Sequence, residues 1–141
     1  MQKVNEKIVL DTHILVWSLL EPDNIAKKIK EQIASAQSVS SLYISSITLW
    51  EIAMLIQKKR ISVFERTSDF LKYISRIEGL SVIEISAEIA AESVMLPGAF
   101  SSDPADCIII ASTRGIAGSL ITRDQKIIEW ANQGYLKVIK G

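Results

Sequence analysis

Four acidic residues in this sequence stand at or near expected helix starts: Asp11 after "IVL", Glu51 one turn into the helix after "LYIS", Asp106 in the first turn of the helix after the "PGAFSS" loop, and Asp124 just past "SLIT". Each has an ordinary structural reading. Asp11 and Asp124 suit helix N-caps, and Thr48 with Glu51 has the spacing of a capping box. In "DPAD", Asp103 suits the N-cap, Pro104 the first helical position and Asp106 the third. Jointly they offer more. Carboxylates brought close together repel, and protonation or a cation must relieve the repulsion. Mg2+ and Mn2+ prefer such hard oxygen ligands. A divalent ion in an acid-only site suits phosphoryl hydrolysis, because it lowers the pKa of a bound water and offsets charge growing on phosphate.

Other chemistries are poorly supplied. One histidine, His13, and one cysteine, Cys107, cannot assemble a His/Cys zinc cluster. A Ser-His-Asp set would depend on His13, which has no G-x-S-x-G elbow to accompany it and reads better as a core or rim residue. Neither a P-loop nor a G-x-G-x-x-G sequence occurs, which disfavours a nucleotide-driven enzyme. A lone cysteine excludes an internal disulfide and fits a reducing cytosol. Lys plus Arg (16) equals Asp plus Glu (16), so no global positive field marks a duplex binder. Local basic runs remain. Lys27, Lys28 and Lys30 read as a solvated helix face. Lys58, Lys59 and Arg60 follow the Glu51 helix, and Arg114 and Arg123 join them as candidate contacts to an anionic substrate. The polar start MQKVNEK lacks the apolar core of a secretory signal, and no apolar run approaches the ~18 residues of a membrane span. The expectation is a soluble cytoplasmic protein forming one domain over residues 1–141, with no membrane association.

To act together, the acids must be carried to one place by the elements before them. "KIVL", "LYIS", "LSVIEI", "GSLIT" and "LKVIK" predict strands. "THILVWSLL" predicts a helix stopped near Pro22. Asp23 or Asn24 is expected to cap a second helix, with Ile25, Ile29, Ile33 and Ala36 inward. A third helix is predicted near Ile47 to Lys58, with Ile47, Trp50, Met54 and Leu55 broadly on one side. A fourth is predicted near Phe64 to Ile77, closed by Gly79. Further helices run from Ser86 to before Pro97, from Asp103 to Gly115 and from Asp124 to Gly134. Short apolar strands without alternation suit a sheet covered on both faces. The predicted fold class is therefore α/β, a three-layer α/β/α sandwich with a mostly parallel central sheet. Ligands in such sheets collect outside the carboxyl ends of the strands, where all four acids would lie.

In their order and spacing, "IVLDTH", "SSITLWEIA", "DPADCIIIAS" and "LITRD" resemble the successive motifs of PIN-domain ribonucleases, most of all the VapC-like toxins of type II toxin–antitoxin modules. The resemblance spans Ile8 to the last strand. It implies a PIN-like fold and a metal-dependent endoribonuclease with Mg2+ or Mn2+ held by Asp11, Glu51, Asp106 and Asp124. It also implies an RNA substrate, products with a 5′-phosphate and a 3′-hydroxyl, a homodimer, and a cognate antitoxin whose C-terminal segment blocks the acidic site. Thr122 matches a hydroxyl residue often found near this site, and Asp103 an acid preceding the third one; Thr12 and Ser46 are further supporting hydroxyls. Two departures stand out. Related toxins often read H-x-D-P-x-D-R where this chain has Ser101 and Cys107. The lysine that often follows "WEIA" is replaced by "MLI", with Lys58, Lys59 and Arg60 coming later. Trp17, Leu19, Leu20, Met54 and Leu55 are read either as core or as part of a partner surface. Two rival readings are a Mg2+-dependent phosphotransfer domain, receiver or phosphatase-like, and a catalytically inactive PIN-like binding module. The phosphatase motif needs D-x-D, and His13 stands at the second position.

Overall fold

The computed structural model describes residues 6–141; most of the polar start MQKVNEK, residues 1–5, lies outside them. Strands β1 (Ile8–Leu10), β2 (Leu42–Ser45), β3 (Leu80–Ile83), β4 (Ser119–Thr122) and β5 (Lys137–Lys140) form one sheet in the order β3-β2-β1-β4-β5. All four pairings are parallel. Between them run α1 (Thr12–Leu20), α2 (Lys27–Ser38), α3 (Ser46–Gln57), α4 (Thr67–Ser75), α5 (Ala87–Ser93), α6 (Pro104–Gly115) and α7 (Gln125–Trp130). Among the described residues, no helix is long and apolar enough to cross a membrane.

Alternation along the strands separates two cores. Ile8, Leu10, Ile44 and Ile121 point to the layer that holds Ile14, Ile29, Ile52 and Ile74 of α1 to α4. Val9 and Leu120 point the other way, to Ile109 and Ile110 of α6 and Ile127 and Trp130 of α7. Both faces are covered, which is the predicted three-layer α/β/α sandwich. Val9, Leu10, Ile44, Leu120 and Ile121 are wholly buried. Each such side chain is worth roughly 1.5–3 kcal/mol of burial, so the strands that precede the acids are firmly seated.

The strand order fixes where a ligand would lie. From the central β1 the chain winds outward through β2 and β3, then returns to the other side of β1 for β4 and β5. The direction of winding reverses between β1 and β4. At such a reversal the following connections leave toward opposite faces and open a crevice at the carboxyl ends. Asp11 follows β1, and Asp124 follows β4.

Several local readings need correction. Pro22–Asn24 forms a 3-10 turn, so α2 begins at Lys27 with Ala26 as its cap and no side-chain bond from Asp23 or Asn24. The fourth helix begins at Thr67, which leaves Phe64 fully exposed in the preceding loop. It ends at Ser75, and Gly79 instead sits at φ +84° in the turn into β3. On α3 the buried positions are Thr48 and Ile52, while Trp50 is 56% exposed. That helix is apolar almost all round, so its sequence does not reveal its inner face. Trp17, Leu19 and Leu55 pack against the core, whereas Leu20 is exposed.

Candidate active site

Asp11 is the residue at which β1 becomes α1. Its backbone N–H donates to Ile121 O of β4 at 3.0 Å, and its Oδ1 accepts from the Thr12 N–H at 2.9 Å. Oδ2 accepts from Thr122 Oγ1 at 2.6 Å. The carboxyl group is buried, at 8% exposure. Burial pushes its pKa up, the two hydrogen bonds oppose that, and the charge of Asp124 adds to the rise.

Glu51 reaches the same place from α3. Thr12 Oγ1 donates to Glu51 Oε1 at 2.6 Å and lies 3.0 Å from Thr48 Oγ1. The capping box expected of Thr48 and Glu51 does not form, because α3 starts earlier and Ser45 caps it by accepting from the Ile47 N–H. Thr48 is instead wholly buried and faces Thr12. Ser46 heads α3, half-buried. Burial raises the Glu51 pKa, with Asp11 and Asp103 adding to the rise.

Asp106 comes from the first turn of α6. Asp103 caps that helix by accepting from the Asp106 N–H at 3.0 Å, and Pro104 takes the first helical position, as expected. Ser102 Oγ donates to Asp106 Oδ2 at 2.9 Å. The Asp106 pKa is pushed up to about 7, chiefly by burial; the Ser102 bond opposes this, and Asp103, Asp11 and Asp124 add their charges. Ser102 is a partner of this acid that the sequence reading does not single out. Its signal is its place four residues before Asp106, at the head of a capped helix.

The structure thus sorts the acids. Asp11, Glu51 and Asp106 each accept a hydroxyl hydrogen bond and each have a raised pKa. Asp11 also accepts from the Thr12 amide, whereas Asp103 and Asp124 accept from helix amides alone, Asp124 from Lys126 and Ile127 at 2.9 and 3.2 Å. Both still act on the others through their charge. Among the described residues, no three acidic, His or Cys side chains are grouped tightly enough to chelate an ion as they stand. The donor set nevertheless has the chemistry of a hard divalent cation. It is all oxygen, and burial together with the neighbouring carboxylates raises the pKa of all three acids, a cost that a cation bound among them would offset.

The basic candidates divide. Lys58 and Arg60 line a cleft of about 260 Å³ that also touches Thr12, His13 and Glu51. Lys59 is not among its walls and holds φ +56° beyond the end of α3. Arg114 is brought to the far end of α6, where it pairs with Glu92 at 2.5 Å and donates to Tyr135 O. The length of that helix separates it from Asp106 in the first turn. Arg123 immediately precedes Asp124 in the chain, but its side chain is engaged elsewhere. It donates to Gly141 O at 2.7 Å and to Asn24 O, and lies 4.5 Å above the Trp17 ring. His13 is exposed at the rim, tilted against Trp17. Cys107 is buried in the α6 core and Ser101 is exposed.

Comparison with known proteins bears on the same region. The sequence profile of the PIN domain matches residues 8–132. Ribonuclease VapC22 of Mycobacterium tuberculosis is 27% identical over 120 residues, covering 85% of this chain and 88% of the relative. Among solved structures, VapBC2 from Rickettsia felis bound to a promoter DNA fragment superposes with a TM-score of 0.68 at 17% identity, over 94% of this chain and 96% of that one. DNA-bound VapBC from Salmonella typhimurium gives 0.67 at 20%, over 96% and 98%. A toxin–antitoxin complex from Klebsiella pneumoniae gives 0.63 at 24%, over 94% and 96%.

Proposed function

Because this chain belongs to the PIN-domain family, we propose that it is a VapC-like endoribonuclease, the toxin of a toxin–antitoxin pair, acting in the cytoplasm. The observation that carries the reading is that Asp11, Glu51 and Asp106 all lie at the carboxyl edge of the sheet, each held by a hydroxyl hydrogen bond and each with a pKa raised chiefly by burial. Similarity to a named ribonuclease over most of both chains supports it. The rival phosphotransfer readings lack a second acid beside Asp11, and His13 turns outward to the rim.

Asp11, Glu51, Asp106 and Asp124 are the residues that would hold Mg2+ or Mn2+. Bound there, the cation supplies a Lewis acid for the phosphate and lowers the pKa of an attacking water. The chain's own part is placement. Thr122 and the Thr12 amide fix both oxygens of Asp11. Thr12 and Ser102 aim Glu51 and Asp106. Asp124 anchors α7 through one oxygen and leaves the other free of helix amides. An in-line attack at phosphorus leaves a 5′-phosphate and a 3′-hydroxyl, with no covalent enzyme intermediate. The protein works as a homodimer and is held silent by a cognate antitoxin.

The test is end-mapping of cellular RNA after induction of the wild type and of Asp11→Asn. New 5′-phosphate ends and growth arrest are expected with the wild type alone. Identical RNA ends in the two strains would refute the reading.

A further inference from the structure

Trp50 and Glu51 are the two residues shared by adjoining clefts. On one side lies the cleft lined by His13, Lys58 and Arg60. On the other is a larger pocket of about 430 Å³ whose floor is Ile47, Pro104, Ala105 and Ile108, with Asp103 at its edge. Trp50 is the partition. Its indole is 56% exposed, on a helix whose buried positions are Thr48 and Ile52. One side of the partition carries the cations Lys58 and Arg60 beside Met54 and Leu55, the other is mainly apolar, and the adjacent residue Glu51 belongs to the acidic centre.

We propose that Trp50 is a base-stacking platform for single-stranded RNA. The nucleobase beside the scissile phosphate lies in the Ile47–Pro104–Ile108 pocket against the indole, while neighbouring phosphates pass Lys58 and Arg60. This rests on the ribonuclease reading above and gives its substrate-positioning surface. Three features favour a nucleotide as the occupant. The pocket is continuous with the acidic centre through Glu51. Its walls are apolar and aromatic, which suits the face of a base. The adjoining cleft carries the positive charge that phosphates require, for which a purely apolar protein surface would have no use. An exposed indole between such surfaces selects unpaired bases, because a base inside a duplex has no free face to offer.

The test uses full-length protein in the cleavage-silent Asp11→Asn background, with fluorescent single-stranded RNA oligonucleotides and a set in which an abasic site is walked along the strand. Trp50→Ala is expected to weaken binding roughly 10- to 100-fold, and Trp50→Phe to recover most of it. The slope of affinity against salt should not change with Trp50→Ala, since no phosphate contact is lost. It should fall in Lys58→Ala/Arg60→Ala, by roughly 0.7 per phosphate contact removed. One abasic position should reproduce the loss in the protein that retains Trp50 and cause no further loss in Trp50→Ala. Equal binding with and without the Trp50→Ala substitution would overturn the proposal while leaving the ribonuclease reading intact. A loss that accompanies a fall in mass from dimer to monomer by light scattering would also overturn it, assigning Trp50 to a second copy of the chain. Failure of the wild type to cleave or bind any RNA would instead remove the ribonuclease reading itself, and this inference with it.

Discussion

Thr122 Oγ1 donates to Asp11 Oδ2 at 2.6 Å, bridging residues 111 apart in sequence at the point where the sheet reverses its winding. Thr122 Oγ1 also accepts from the Asp124 N–H at 3.0 Å. One wholly buried hydroxyl therefore ties the first acid to the turn that presents the last.

Thr122→Val keeps the shape of that side chain and deletes its hydrogen bonds. A buried carboxylate oxygen and an amide lose their partner, which should cost about 1–3 kcal/mol of stability. RNA cleavage should fall with it, and Thr122→Ser should restore both. Thermal unfolding and a gel-based cleavage assay on the three proteins decide the matter.

Asp106 gives a pH signature. Its pKa in the folded protein is about 7, against an ordinary value of 3.8. The native state therefore holds a proton that the unfolded chain releases between those values. The metal-free protein should lose stability as pH rises from about 4 to about 7, and the loss should be complete above that range. Asp106→Asn should reduce this slope, leaving the part that the raised pKa values of Asp11 and Glu51 contribute, and raise the melting temperature at pH 8. The gain should be roughly 1–2 kcal/mol, or about 2–6 °C, once solvent screening of a half-exposed group is allowed for. Mn2+ added to the wild type at pH 8 should have the same sign, and melting curves across pH with and without metal would show it.

The basic run should split by position. Lys58→Glu and Arg60→Glu should weaken RNA binding and flatten its salt dependence, because both line the cleft beside Glu51. Lys59 lies outside that cleft at φ +56°, the left-handed conformation that glycine adopts without strain. Lys59→Gly should raise stability by about 0.5–1 kcal/mol. Filter binding at several salt concentrations, with melting curves, separates the two behaviours.

Gly79→Ala should be among the more damaging small substitutions. At φ +84° a Cβ would stand 2.2 Å from the Gln37 carbonyl oxygen, and a backbone atom cannot swing aside. A loss of about 2–3 kcal/mol is expected, read as a melting temperature roughly 5–10 °C lower.

Much of this arrangement is legible in the sequence because local signals agree. Asp11 after "IVL" and Asp124 after "SLIT" combine a strand end with a helix cap, Asp103-Pro104 combines a cap with a helix-opening proline, and each is found there. The inward residues of α2 are readable because polar positions separate them. α3 is not readable in that way. Apolar on nearly every side, it gives no sign that Thr48 points inward to Thr12 and Trp50 outward to solvent. The strand order cannot be read either, since pairing of β1 with β4 depends on packing between segments far apart in the chain. Arg114 is hidden for a related reason. Nearness in sequence to Asp106 says nothing about the helical length that carries it to Glu92 and Tyr135. Ser102 needs the cap geometry of α6 before its hydroxyl acquires a target.

Pairing β1 with β4 also sets when this protein can first act during its synthesis. Asp11 leaves the ribosome early, but its side-chain partner Thr122 is made 111 residues later, just after its backbone partner Ile121. A nascent chain that has not yet delivered β4 has no neighbour on that edge of β1, no hydroxyl to fix Asp11, and no Asp124. An enzyme directed at RNA would thus emerge from an RNA machine in a form that cannot cut it, and would stay so until β4 has followed β1 out and paired with it.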